Sequence, residues 1–358
     1  MNAGDGNMNL RKSPQDSKGS ILIVCFFVLV LLSMFAITVG YTMRQKFQVL
    51  SRLDARQQLR LIGDAGVKKA IYELLEYREH PSSYDSLNQG WSRNEAKFKD
   101  VEMGGGLFSV CYPIEHPEGE MPSPGSDQQY GLVDEDRKIN LNLVLKSPEV
   151  LRRLFKEAGA MDDDDAAALV DAIKDWEDED DDVSLSGAES RYYKGLTPPY
   201  VPRNGKFATL SELLWVKGMK PDILEKIRPY ITLDSSGQVN LNTASKTVLL
   251  ALGISPELCD KIIIYRKGHD QLEGTADDQV FDNLSSVSQL LANMSYLNDN
   301  KRSSLDAMIR SGFFSVKSQT FTAQVVARLK HKTQYLRITA VFDDKGVVKR
   351  WAEAFAVS

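Results

Sequence analysis

The chain has 358 residues, 42% hydrophobic and 26% charged, enough to bury one large or two modest cores and too balanced for a disordered or collagen-like polypeptide. Forty-four Lys and Arg against 49 Asp and Glu leave a net charge of −5, which excludes a globally basic nucleic-acid binder. Three cysteines are too few for a disulfide framework; Cys25 lies in an apolar run, and the sequence leaves open whether Cys111 and Cys259 meet.

From Ile21 to Val39 the chain carries no charge, and this stretch, as a helix, is about 28 Å long, close to the hydrocarbon thickness of a bilayer. A secretory signal would have a shorter apolar core of about 7 to 15 residues and a small-x-small cleavage site, so a retained membrane-spanning helix is predicted. A short polar leader with Arg11, Lys12 and Lys18 ends in Gly19 just before it. Beyond the span, Phe47, Leu50, Leu53, Leu59, Ile62, Val67, Ile71, Leu74 and Leu75 recur at three- and four-residue steps. One helix is expected from about Ser20 to Tyr77, stopped by His80-Pro81.

Residues 82–130 read as loop with short strand signals, the clearest being Leu107 to Ile114 after three glycines and before a Pro-rich loop through Pro124. Phe313 to Val357 alternates apolar and polar residues, with a turn at Asp344-Lys345-Gly346, and predicts an antiparallel sheet of three or four strands. The fold class is therefore α+β: a long N-terminal helix (20–80) packed on an antiparallel sheet (81–132 and 313–358), with a large, mostly α-helical insertion (133–312) between strands. The insertion holds an internal repeat: VDEDRKINLN at 133–142 and LDSSGQVNLN at 233–242, each leading into a helix, with Val150-Leu151 and Val248-Leu249 at matching places. Each Asp/Asn-rich turn is suited to cap the helix it precedes. Between the copies lie a helix ending near Trp176, an acidic loop, a Tyr/Pro-rich stretch and a helical hairpin turning at Gly218-Met219.

The densest acidic feature is Asp175 to Asp182, eight residues with seven carboxylates. Such a run is either solvated or neutralised by a cation, and calcium takes six to eight oxygens from carboxylates, carbonyls and water. Asp178 and Asp180 sit at alternate positions, Asp175 ends the preceding helix, and Glu189 is placed to fold back; Glu177 and Asp182 are weaker candidates. The loop is not an EF-hand, because Asp180 stands at the sixth position, where that loop needs Gly. Asp162 to Asp165 instead suit the positive end of the next helix. A second possible cation loop carries Asp270, Asp277 and Asp278, with a plain surface loop as its competing reading. Gly253-Ile254-Ser255 has the look of a helix-hairpin-helix turn, with Lys261, Arg266 and Lys267 nearby. His80, His116, His269 and His331 are scattered, no nucleophile elbow or phosphate-cradling loop occurs, and no enzyme is expected.

The basic leader ending in Gly19 resembles those of type IV pilins and type II secretion pseudopilins, which implies a prepilin peptidase cut between Gly19 and Ser20. Counted from Ser20, the fifth residue is Val24, where most of that family carry Glu. A carboxylate in the bilayer costs about 2.5 to 3.5 kcal/mol on insertion scales and is tolerated when paired, so a subunit with none ahead of it has no need of one. The segments DEDRKINLN, DAIKDWEDED, GAESRYY, PPYVPRNGKFATLSELLWVKGM and VNLNTAS follow in the order seen in the K-type minor pseudopilins of type II secretion. That resemblance implies a tip subunit that initiates and caps a periplasmic pseudopilus, with the minor pseudopilins I and J and the major pseudopilin as partners. It implies a single pass of the bacterial inner membrane, N-terminus cytoplasmic before processing and C-terminal domain periplasmic. It also implies a structural calcium ion at Asp175, Asp178, Asp180 and Glu189. The competing readings are a membrane-tethered helix-hairpin-helix protein that holds or takes up DNA, and a minor pilin of a type IV pilus. The ordered insert motifs argue against the second, and nucleic acid is not an expected partner.

Overall fold

The computed structural model describes residues 18–79, 82–113, 128–293, 299–330 and 332–357. The leader up to Ser17, the stop at His80-Pro81, the Pro-rich loop through Pro124 and His331 lie outside the described residues. The chain forms two units, 1–58 and 59–358, and helix α1, Lys18–Glu79, runs through the boundary. The predicted helix is thus found, two residues longer at each end than its estimated bounds.

In the first unit every side chain from Ile21 to Asp54 is exposed, and this is the one helix among the described residues long and apolar enough to cross a membrane. Three of its hydroxyls are satisfied internally, in a way that suits a bilayer: those of Ser33, Thr38 and Thr42 donate to the carbonyls of Leu29 (2.8 Å), Met34 (2.8 Å) and Thr38 (2.6 Å), four residues back.

The second unit begins with the last turns of α1, whose Leu59, Ile62, Val67, Ala70 and Leu74 are buried. Then come β1 (Val101–Met103), β2 (Gly106–Pro113), β3 (Gln128–Tyr130) and β4 (Val133–Asp134). The insertion follows, made of two parts in tandem. β5 (Ile139–Asn140) pairs in parallel with β6 (Ile231–Thr232), and β7 (Val239–Asn240) with β8 (Phe314–Ser315), so each copy of the repeat opens a helical lobe that a short strand closes. The chain finishes with β9 (Thr320–Leu329), β10 (Gln334–Asp343) and β11 (Val348–Val357). The first arm of the predicted hairpin, Leu210–Trp215, is a 3-10 helix rather than an α-helix.

The sheet runs β1-β2-β9-β10-β11, with β3 also on β2 and β4 also on β9, all antiparallel. It has seven strands where three or four were expected, because β1, β3 and β4 are two or three residues long and too short to display an alternation. β4 pairs with β9, so Val133 and Asp134 belong to the sheet although the repeat pattern begins with them. Helix α1 lies close on the sheet through Gly63 and Gly66: a Cβ on Gly63 would meet Ile338 at 2.5 Å, and one on Gly66 would meet Val325 at 2.6 Å and Phe108 at 3.0 Å.

Sheet and insertion are joined by a buried polar hub. One Asp134 carboxylate oxygen accepts from the hydroxyls of Thr243 (2.6 Å) and Ser318 (2.7 Å), and the other from the Asp136 N–H (2.8 Å). Asp136 in turn accepts from the backbone N–H of Ser236 (2.6 Å) and Gln319 (2.6 Å). Asp85 accepts from the Ser318 N–H (2.7 Å) and from Arg78 (2.9 Å). Arg78 is the guanidinium that faces this group of acids; burial above all, then the charge of Asp136, pushes the Asp134 carboxyl up to about 7.

Candidate metal centre

The helix Asp163–Glu177 is opened by Asp162, whose carboxylate accepts from the Asp165 N–H at 2.8 Å, while Asp163 is ion-paired to Arg152 and Lys156. The four acids 162–165 therefore serve this helix start, as their position predicts. At the far end Asp178 closes the helix, its N–H reaching the Lys174 carbonyl. Trp176 packs edge-on against Tyr193 at 5.1 Å, and Tyr193 lies on the short helix Ser190–Lys194. That aromatic contact brings the segment 187–193 back over the acidic loop and seats Glu189 in the interior, 2% exposed.

Asp178, Asp180 and Glu189 each present a carboxylate oxygen within 4.8 Å of the others. Both oxygens of Glu189 and one of Asp178 are buried without a hydrogen-bond partner. Buried carboxylates in that state are costly. Burial first, then the charges of Asp175, Asp178, Asp181 and Asp180, pushes the Glu189 carboxyl up to about 7, and burial likewise raises Asp178. An all-oxygen, anionic and under-satisfied donor set fits a hard divalent cation and excludes a soft one.

Asp175 has a different place from the other three. It is fully buried and accepts from the Ser184 N–H with both oxygens (3.3 and 3.1 Å), and Gly187 packs so closely on it that a Cβ there would overlap the carboxylate. It folds the loop around the cluster. Glu177 and Asp182 are not brought into the cluster; the Asp182 N–H donates to Asp180 at 2.9 Å.

The loop after the helix Pro256–Arg266 occupies the equivalent place in the second lobe, and its carboxylates are spent differently. Asp277 accepts from the N–H groups of His269 (2.7 Å) and Asp270 (3.1 Å), Asp278 from Gly274 N–H (2.7 Å), and Asp270 from Leu272 N–H (2.8 Å). The Thr275 hydroxyl, which donates to Asp277 at 2.8 Å, and the Asp270 and His269 N–H groups hold the Asp277 carboxyl down at about 2. Of the two acidic loops, only the first leaves its oxygens unsatisfied.

At the Gly253 hairpin, the N–H groups of Gly253 and Ile254 are committed to the Leu250 (2.9 Å) and Leu249 (3.1 Å) carbonyls. Arg266 is buried and bonded to the Leu241 and Ala244 carbonyls and to Glu273, so it is not a surface cation for a phosphate. Cys111 and Cys259 are both buried and both free.

Residues that pattern reading missed are Asn142 and Asn242. Each clasps a distant backbone from both sides: Asn142 donates to the Phe207 carbonyl (3.0 Å) and accepts from its N–H (2.8 Å), and Asn242 does the same with Phe281 (2.9 and 2.8 Å). The offset of 100 positions between the NLN segments was a signal for the asparagines, but not for their partners.

Fold and site together define a pilin-like α+β protein with a two-lobed helical insertion and an acidic cluster in the first lobe. Residues 137–235 match the family model of Type II secretion system (T2SS), protein K. Type II secretion system protein K of Aeromonas hydrophila is 27% identical over 238 residues, 63% of this chain and 66% of that protein. The protein of the same name from Pectobacterium carotovorum subsp. carotovorum is 32% identical over 113 residues, 30% of this chain and 34% of its own. The chain thus spans just under two thirds of the first and about one third of the second. A chain of the GspK-GspI-GspJ complex crystal structure from the enterotoxigenic Escherichia coli Type 2 Secretion System superposes with a TM-score of 0.61 at 17% identity, over 86% of this chain and 99% of that one. The comparisons bear out the resemblance read from the ordered segments: this chain is a relative of type II secretion system protein K.

Proposed function

We propose that the chain is a minor pseudopilin of type II secretion, cut between Gly19 and Ser20 by a prepilin peptidase, held in the bacterial inner membrane by α1 with its body in the periplasm, and not an enzyme. The observation that carries this is one architecture in one chain: an apolar helix that continues into a pilin-like sheet, and a lobe at 137–235 that matches protein K. Its partners in this reading are the I and J minor pseudopilins, in keeping with the complex in which its structural neighbour occurs, and the major pseudopilin behind them. Val24 supports a leading position, since a subunit with none ahead of it has no amine for a buried carboxylate to meet. The insertion supports it too, as a bulk that would obstruct a subunit stacked above. The test is co-purification from native membranes with two other pseudopilins and a mature N-terminus at Ser20; a different N-terminus, or normal export by cells lacking the chain, overturns the reading.

Calcium is the cation this reading gives to Asp178, Asp180 and Glu189, with Asp175 shaping the loop. Its role is structural: it supplies positive charge to carboxylates that the fold buries without partners. Isothermal titration with calcium, and a rise in melting temperature on adding it, test that assignment.

A further inference from the structure

β11 ends the strand order β1-β2-β9-β10-β11; it pairs with β10 along its length, and among the described residues no strand lies beyond it. It is ten residues long, whereas β1 at the other end has three, and every side chain from Val348 to Ala354 is exposed. The outward N–H and C=O groups of such a strand are a template for another strand. Proteins usually block such an edge with proline, a bulge or charged side chains. Residues 348–357 contain no proline, and the register shift lies at Val341/Phe342, near the turn, so Arg350 to Val357 pair without interruption. Two of the three charges are drawn aside: Arg350 into an ion pair with Asp234, and Glu353 onto Arg60 (2.9 Å) and the Trp351 Nε1–H (3.0 Å). Trp351 and Val348 remain exposed beside the edge.

We propose that the β11 edge pairs, main chain to main chain, with an edge strand from the sheet of a sister minor pseudopilin. The inference rests on the function proposed above. Two features select this occupant. The outward peptide groups from Val348 to Ala354, which pair with no other strand among the described residues, match another strand and neither a helix nor a small ligand. The Arg60 to Glu353 ion pair ties β11 to α1, the helix that in that reading anchors the chain in the same membrane as its sister pseudopilins.

The experiment is residue-resolved hydrogen exchange on the full-length protein in detergent, alone and mixed with its two partner pseudopilins. Alternate amides between Val348 and Ala354, those pointing away from β10, should slow by about tenfold or more in the complex. A complex that forms while these amides exchange as in the free chain overturns the edge pairing. Slowing in the chain alone that grows with its concentration overturns it in favour of a second copy, and failure to form any complex overturns the proposed function instead. Single prolines at Trp351 and Ala352 give a second test, because adjacent N–H groups point to opposite edges. The variant that keeps the wild-type melting curve has lost only the outward donor; it should bind the partners about tenfold more weakly, and unchanged binding refutes the proposal.

Discussion

Glu189 and Asp134 are both buried carboxyls raised to about 7, for reasons that a titration separates. A group whose folded pKa lies above its unfolded value stabilises the fold fully below the unfolded value and loses that contribution as pH rises through the folded one. In chelator, the melting temperature should therefore fall from about pH 4 to pH 7 and beyond, both groups acting in the same direction. Calcium should cancel the part due to Glu189, and Glu189→Gln should remove that part together with the calcium-induced rise in melting temperature. Asp134 contributes to the remainder, beside the other carboxyls that burial raises, Asp85 and Asp234, so that remainder should shrink in Asp134→Asn. A flat pH profile in chelator would contradict both assignments. Gly187→Ala probes the same site from the backbone: its Cβ must displace the Asp175 carboxylate, so both stability and calcium affinity should drop, by about 1 to 3 kcal/mol in stability.

At the level of elements, the glycines of α1 invert the usual helix rule. Ala for Gly inside an exposed helix gains about 0.5 to 1 kcal/mol. At Gly66 a Cβ meets Val325 and Phe108, so Gly66→Val should cost about 1 to 3 kcal/mol in a thermal melt by lifting the helix from the sheet. The two asparagine clasps should behave as a pair, since Asn142→Ala and Asn242→Ala each strand a buried Phe peptide group and should each cost about 1 to 3 kcal/mol. Long regular signals made α1 and β9 to β11 legible in the sequence, because the periods of helix and strand persist there for ten residues or more. β1, β3 and β4 were not legible; they exist through what they pair with. Within the acidic loop, the sequence and its resemblance named Asp175, Asp178, Asp180 and Glu189; the fold brings the last three together and uses Asp175 to shape the loop. Spacing did not separate that loop from the one at 270–278, where the same residue type is satisfied by backbone amides that only the folded chain positions.

At the scale of the whole second unit, the insertion carries its own interior. Its buried cluster runs from Ile139 to Val316 and includes no side chain of β1, β2 or β9 to β11, while α1 and the sheet form another core around Ile62, Phe108, Val325 and Ile338. The insertion also leaves and re-enters at adjacent points, since Asp134 of β4 stands opposite Phe321 of β9. A two-residue Asn-Gly turn in place of residues 135–320 has the geometry to close that pair as a hairpin. The shortened chain should fold, because removal of the lobes opens the Asp85 and Asp134 carboxylates to water rather than leaving them buried without Ser318 and Thr243. It should melt cooperatively and show no response to calcium, whereas the full chain gains melting temperature on calcium addition. Loss of a cooperative transition in the shortened chain would mean that the sheet depends on the lobes for its stability, and that the polar hub is part of the body's core and not a joint between two.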